Sequence, residues 1–341
     1  MSYTSRDGNN FNLIRMIAAF LVILSHATAI QGKGVDFVIK MTGQTHSGQM
    51  AVFIFTFLSG IFITKSIANS NVKEFIKKRV LRLYPELILC LFVVLIIGSI
   101  FTTYEFKDYW LNKQTWQYFV ANILEVYNEH YLPGVFENHP NSGMNGVLWY
   151  ITFEIRIYLV WALLKSLGVF KEKTSTNIVL IILIMWCFVK PDTLPFIGSE
   201  GGLYGMIDFP QYTITFALGS LLYMNCKTLT LKFYHIIVVI CLMILFRHST
   251  IAVWIWAAGY IVIGLWLGTN KLLLNIKIKD LSYGVFLYGW PMGQIVYEIM
   301  PNASALCAAC VTFVFAMIAA FLSEKIIVLA RGAIANKTKD I

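Results

Sequence analysis

Charge is scarce in this chain. Asp, Glu, Lys and Arg make up 13% of its 341 residues, against 58% hydrophobic residues, and the mean hydropathy is +0.68. A soluble fold of this length needs far more polar surface, so a water-soluble globular protein is excluded and a polytopic membrane protein is implied. Cysteine is missing from every loop assigned below to the outside. Cys90, Cys187, Cys226, Cys241, Cys307 and Cys310 all lie within or at the ends of hydrophobic runs, which excludes a disulfide-stapled secreted scaffold. Cys307 and Cys310 form a C-x-x-C without a second ligand pair nearby, so they read as small apolar packing residues and no metal is expected. Repeats, heptads and low-complexity tracts are absent. So are the inverted halves that many secondary transporters show.

What the chain does have is a succession of hydrophobic runs, at 11–31, 47–67, 83–103, 146–166, 176–190, 209–225, 233–247, 250–268, 281–300 and 303–324. The segments between them alternate in charge. One set holds Arg6, Lys65, Lys73, Lys77, Lys78, Arg79, Arg82, Lys165, Lys171, Lys173, Lys227, Lys232, Lys271, Lys277, Lys279, Lys325, Arg331, Lys337 and Lys339, 19 cations against six acids, and the other set holds six cations against ten acids. The positive-inside rule makes the first set cytoplasmic. The expected architecture is therefore all-α: a single bundle of about ten transmembrane helices over residues 1–341, embedded in membrane lipid, with both termini cytoplasmic. The pI of 9.1 reflects this topology and gives no reason to expect nucleic acid. Residues 16–24 followed by Ala27-Thr28-Ala29 resemble a signal-peptidase site; the segment is read as a retained first span.

Two connecting segments stand out. In the cytoplasmic stretch 72–83, Val72, Phe75, Ile76, Val80 and Leu83 share helical spacing while Lys73, Lys77, Lys78 and Arg82 take the other side. That pattern predicts an amphipathic helix at the inner surface, with Pro85 in the first turn of the following span. The external segment 104–145 is rich in Tyr, Trp and acids, and its part 114–127 is expected to be a helix on the outer leaflet. Its aromatic rings have two readings, stacking on sugars or forming an interfacial belt.

Five residues carry candidate chemistry. Arg15 and His26 stand eleven residues apart in the first span, which puts them on one helix face about 16 Å apart along the axis. Ionisable groups at bilayer depth are expensive and mark pathways or sites. Arg79 and Arg82, three apart on the basic helix, are neighbours whose planar forks suit phosphate oxygens; the competing reading is contact with lipid headgroups. Arg15, a turn inside the same face, needs an anionic partner, and a phosphorylated cytoplasmic cofactor serves all three arginines. Histidine is the commonest general base, although a lone intramembrane histidine is also often a hydrogen-bonded core residue. Glu154, two turns below the outer end of the fourth span, has a depth that suits orienting His26. Its other reading, a pair with Arg156, has poor helical geometry at two residues' separation. An acyl-CoA held by its phosphates at the arginines, its thin pantetheine arm reaching His26, fits the spacing.

With these residues placed, the sequence resembles the membrane-bound acyltransferase-3 family of bacteria. The opening Phe-Asn-Leu-Ile-Arg-Met-Ile-Ala-Ala-Phe-Leu-Val-Ile-Leu-Ser-His is similar to the family's first-helix signature. Residues 52–63 resemble its second motif, 75–85 its Arg-x-x-Arg motif, 148–154 its Trp-to-Glu motif and 281–291 its late Ser-Tyr motif, over about residues 10 to 325. The resemblance implies transfer of an acyl group, usually acetyl, from cytoplasmic acyl-CoA to an extracytoplasmic polysaccharide or lipid-linked glycan. It also implies a location in the bacterial cytoplasmic membrane and essential roles for Arg15, His26, Arg79 and Arg82. There are two departures. Gly289 stands where many members have His, and the soluble hydrolase-like domain that some members append is not expected here. A transporter or flippase for a glycan or lipid is the competing class, which measuring acyl transfer would separate.

Overall fold

The computed structural model describes residues 3–5, 9–124, 128–193, 200–202, 205–207, 209–270, 276 and 278–337. In chain order its helices are α1 (Phe11–Gln31), α2 (Phe37–Thr42), α3 (Ser47–Ala68), α4 (Val72–Phe101), α5 (Phe106–Leu111) and α6 (Lys113–Leu124). Then come α7 (Trp149–Ser166), α8 (Lys173–Val189), α9 (Phe209–Asn225), α10 (Phe233–Leu245), α11 (Ala252–Thr269), α12 (Ser282–Ile299) and α13 (Ala305–Lys337). One short antiparallel pair, β1 (Glu200–Gly202) with β2 (Gly205–Ile207), departs from the expected all-helical chain. Among the described residues, five helices are long and apolar enough to cross a membrane: α1, α3, α4, α11 and α13 up to Ala333; α8 and α10 are shorter apolar helices. Of the ten expected runs, α7, α9 and α12 fall short in length or apolarity, α7 because it carries Glu154, Arg156 and Lys165. The exposed faces of α8, α10 and α13 are lined by residues such as Ile181, Ile182, Val238, Ile244, Val314 and Ile318. Apolar faces this continuous need lipid to cover them, which is the behaviour of a multi-pass membrane protein.

The chain forms two compact units and passes between them within α1, α4 and α7. The first comprises Met1–Ser25, Val35–Lys77 and Phe153–Asp280. Its centre is α3, buried along most of its length from Met50 to Ile67. Here α3 and α9 meet backbone to backbone: a Cβ at Gly60 would stand 2.1 Å from the Phe216 carbonyl oxygen, and one at Gly219 would stand 2.2 Å from that of Phe57. Only glycine allows this approach, the small-residue device of membrane helix pairs. One turn on, the Thr64 hydroxyl donates to Ser220 at 2.7 Å and accepts the Trp161 indole N–H at 3.1 Å, so polar groups buried at the seam are satisfied.

The second unit comprises His26–Gly34, Lys78–Thr152 and Leu281–Ile341. It corrects two sequence expectations. The basic stretch at 72–83 is no separate helix: it runs unbroken into the span as the 30-residue α4, with Pro85 in the interior instead of a first turn. Interior proline lacks the N–H that would bond the carbonyl four residues back. That carbonyl, of Leu81, accepts from Arg331 Nη2 at 2.6 Å, so a residue of α13 takes the missing donor's place. Pro291 in α12 has the same solution. It frees the Leu287 carbonyl, which accepts from the buried Asn145 amide at 3.1 Å and from Cys90 Sγ at 3.8 Å. The second correction is α13, which continues to Lys337, beyond the expected end at 324. Cys307 and Cys310 lie exposed on it, not packed in the core.

Candidate functional site

Arg15 and Glu154 belong to the first unit; His26, Arg79 and Arg82 belong to the second. Arg15 sits in the first turns of α1, where Ile276 and Ile278 are fastened alongside. The Asn10 side-chain amide donates to the Ile276 carbonyl at 2.6 Å and that of Asn12 to the Ile278 carbonyl at 3.2 Å. The next contact in this series is ionic: Arg15 Nη1 lies 3.8 Å from Asp280 Oδ2, each side chain 19% exposed. The guanidinium also stands over the Phe62 ring, 5.1 Å from its centroid. The anion expected beside Arg15 is a cofactor phosphate; the chain itself places the Asp280 carboxylate there. The alternation Ile276, Ile278, Asp280 is a two-residue period, a weak signal in so short a segment.

Glu154 is buried in α7, at 7% exposure. Its Oε1 accepts from the Tyr158 hydroxyl at 2.9 Å and lies 3.4 Å from the Ser59 hydroxyl. Arg156 stands over the Phe209 ring, 5.6 Å from its centroid. The same unit holds a histidine that the sequence did not single out. His46 caps α3, its Nδ1 accepting from the Gln49 N–H at 3.3 Å and from the Ser25 hydroxyl at 3.0 Å. The neighbouring Asp36 caps α2 and bonds Ser47, accepting from its N–H at 3.0 Å and its hydroxyl at 2.5 Å. Burial holds His46 below the ordinary histidine value, and Asp36 offsets this only in part.

In the second unit, the half-buried His26 ring meets Trp290 edge to face, centroids 4.7 Å apart at 64°. Trp290 is fully buried, one residue after Gly289, and its indole N–H donates to the Gly143 carbonyl at 2.8 Å. Arg79 and Arg82 lie one turn apart on α4, half-buried and exposed respectively, with Lys77 and Lys78 exposed beside them. Of the expected apolar side, Phe75 and Leu83 are buried while Ile76 and Val80 remain uncovered by protein. The external helix expected at 114–127 is α6, Lys113–Leu124; Glu125, Val126 and Tyr127 lie outside the described residues. Around it Trp110 and Trp116 lie 5.9 Å apart, and the Trp116 indole donates to the Trp110 carbonyl at 2.8 Å. Phe106 and Leu111 are 70% and 71% exposed. Tyr109 and Tyr118 turn inward and are fully buried. Uncovered aliphatic and Phe groups among the rings suit the lipid interface, and Trp116 is exposed as well. Nearby, burial also lowers His130, against a weaker opposing pull from the Asn145 carbonyl and Glu129.

These units put ionisable and bonded polar groups on helices whose outer faces are apolar, which defines the class: an integral membrane protein with polar groups held at bilayer depth. The particular family follows from comparison. The acyltransferase domain of the acyltransferase-3 family matches residues 9–325, and the chain belongs to that family. Among characterised proteins it is similar to an O-acetyl transferase of Shigella phage Sf6, 25% identical over 310 residues and covering 86% of each chain. It is also similar to nodulation protein 10 of Rhizobium leguminosarum bv. viciae, 28% identical over 184 residues, 48% of this chain and 46% of that one. No solved structure matches.

Proposed function

We propose that this chain transfers an acyl group, acetyl by the family's usual habit, from cytoplasmic acyl-CoA across the membrane to a hydroxyl of a surface polysaccharide or lipid-linked glycan. The observation that carries the reading is the family match across residues 9–325, which takes in Arg15, His26, Arg79, Arg82 and Glu154. The similarity to a phage O-acetyl transferase along 86% of both chains supports it. In this reading the bundle has ten spans with both termini inside, as the loop charges require.

His26 is the general base. It takes the proton of the acceptor hydroxyl as the oxygen attacks the thioester carbonyl, and the proton leaves with the thiol of CoA. Glu154 stabilises the imidazolium that forms. Arg79 and Arg82 hold CoA phosphates through charge-assisted, forked hydrogen bonds, and Arg15 grips the inner end of the donor. Trp110 and Trp116 contribute to holding the glycan at the outer surface.

The test is mass spectrometry of the host's surface glycans with and without the gene, and with His26→Ala. The gene should add a mass equal to one acyl group per modified hydroxyl. His26→Ala should lower that addition roughly a hundred-fold or more, the usual weight of a general base. Identical glycans in all three strains would leave the chain without this function.

A further inference from the structure

His139 is a buried histidine with both ring nitrogens engaged. Its side chain is 4% exposed, and its ring lies between Phe136, stacked at 4.5 Å, and Tyr297, also at 4.5 Å. Nε2 is 2.7 Å from Glu298 Oε2 and Nδ1 is 2.9 Å from Gln294 Oε1. The orientation of the Gln294 amide is fixed by what lies on its other side. Its nitrogen donates to two main-chain carbonyls, Asn141 at 2.7 Å and Gly143 at 2.6 Å. Reversing the amide would set its oxygen against both carbonyls, which only accept. The amide oxygen therefore faces His139 and accepts from Nδ1, and the Glu298 carboxylate holds Nε2 from the other side.

This network continues to His26. The Gly143 carbonyl that accepts from Gln294 also accepts the Trp290 indole N–H at 2.8 Å. At the other end of the same indole, a Cβ on Gly146 would stand 2.7 Å from the Trp290 ring, so the 139–146 segment encloses it. Trp290 in turn meets the His26 ring at 4.7 Å. The contacts on α12 come from Leu287, Trp290, Gln294 and Glu298, spaced three, four and four apart, one stripe of the helix. Backbone strain marks the same place. Phe136, the ring stacked on His139, has φ 54°, a conformation costly for an aromatic residue and kept only where its surroundings hold it. A hydrocarbon core would have filled this volume without burying polar groups that need partners. The polar alternative specifies a single arrangement.

We propose that His139, Gln294 and Trp290 are positioning residues, a latch that fixes the ring of His26 for proton transfer; this rests on His26 being the base. The latch is broken conservatively by Gln294→Glu, which keeps an acceptor for His139 and loses both amide donors, and by Trp290→Phe, which keeps a ring and loses the N–H. His139→Gln is a third variant, should either of these not fold.

The probe is diethylpyrocarbonate, applied to the full chain in nanodiscs, with carbethoxylation of each histidine followed by peptide mass spectrometry. Exposed His248 serves as the internal standard. Label transfer from radiolabelled acetyl-CoA to membrane glycan is measured in parallel. In the folded variants His26 should react about five-fold faster than in the wild type, the factor that one net hydrogen bond represents. Transfer should fall by at least as much, with acetyl-CoA affinity unchanged. Wild-type reactivity of His26 in the variants would overturn the latch, whatever transfer does. Undiminished transfer by His26→Ala would instead overturn the base assignment, and the reactivity comparison would still decide whether the latch reaches His26.

Discussion

Replacing Asp280 by Asn separates two jobs that Arg15 can hold, strut and donor ligand. The carboxylate lies 3.8 Å from the guanidinium, both groups 19% exposed. At an effective dielectric near 20, two unit charges at this distance attract by about 4 kcal/mol before desolvation is subtracted. Exposed pairs retain less than about 1 kcal/mol net, and breaking a fully buried pair costs about 3–5 kcal/mol. This partly covered pair should fall between, at about 1–3 kcal/mol of stability lost in Asp280→Asn. Arg15 keeps its place over Phe62 in that variant and loses the opposing carboxylate charge. If it binds a CoA phosphate, the competing carboxylate is gone and acyl-CoA should bind up to about ten-fold tighter. Arg15→Ala should then weaken binding by a similar factor. The assay is titration calorimetry of acetyl-CoA into protein in nanodiscs, paired with the thermal midpoint of each variant. A lower midpoint in both variants with unchanged affinity would refute the ligand role and leave Arg15 as a strut.

Three further outcomes are expected. Arg79→Ala and Arg82→Ala should each weaken acetyl-CoA binding about ten-fold or more in the same titration, with Lys restoring only part because a point charge cannot fork onto two oxygens, and Lys73→Ala should change little. Asn145→Ala should destabilise by about 1–3 kcal/mol, since it strips the Leu287 carbonyl of its amide donor; in a Pro291→Ala background, where a helical N–H returns, thermal unfolding should show a smaller loss. His46 accepts at Nδ1 from Ser25 and Gln49 and its pKa is lowered by burial, so the unfolded chain takes its proton first; stability should be full above the ordinary histidine value of about 6.5 and decline as pH falls from there toward the lowered folded value. His46→Asn keeps a capping side chain without titrating, and thermal midpoints across that range should show a flatter slope for it.

Much of the helical framework was legible because it rests on local pattern. The ends of α1 and α9 agree with their hydrophobic runs, Phe11–Gln31 and Phe209–Asn225, since each run is bounded by polar residues. The reading failed at Pro85, where the local rule is to start a helix. The rule gave way because the carbonyl it orphans finds Arg331, some 250 residues along the chain. No window of sequence contains both partners. The overrun of α13 has a different source: Ser323, Glu324 and Lys325 interrupt the hydrophobic run, but they do not end a helix, and Ile326–Ala330 and Gly332 continue it.

The candidate site divides along the same line. Arg15, His26, Arg79 and Arg82 announce themselves because charge and imidazole are rare in hydrophobic runs and because helical spacing places them. Trp290, Gln294 and His139 carry no such mark: in sequence they are one aromatic among many, an amide late in a helix and a loop histidine before a proline. Their meaning comes from a carbonyl, Gly143, that accepts from two of them. Arg15 shows how a charge argument can leave its partner open. A cation placed that deep does require an anion, but the requirement names a charge and not its source, and Asp280 meets it from within the chain. In the proposed function a donor phosphate competes at Arg15 with a carboxylate already in place, so its affinity there is the difference between two ion pairs, and Asp280→Asn is the variant that measures it.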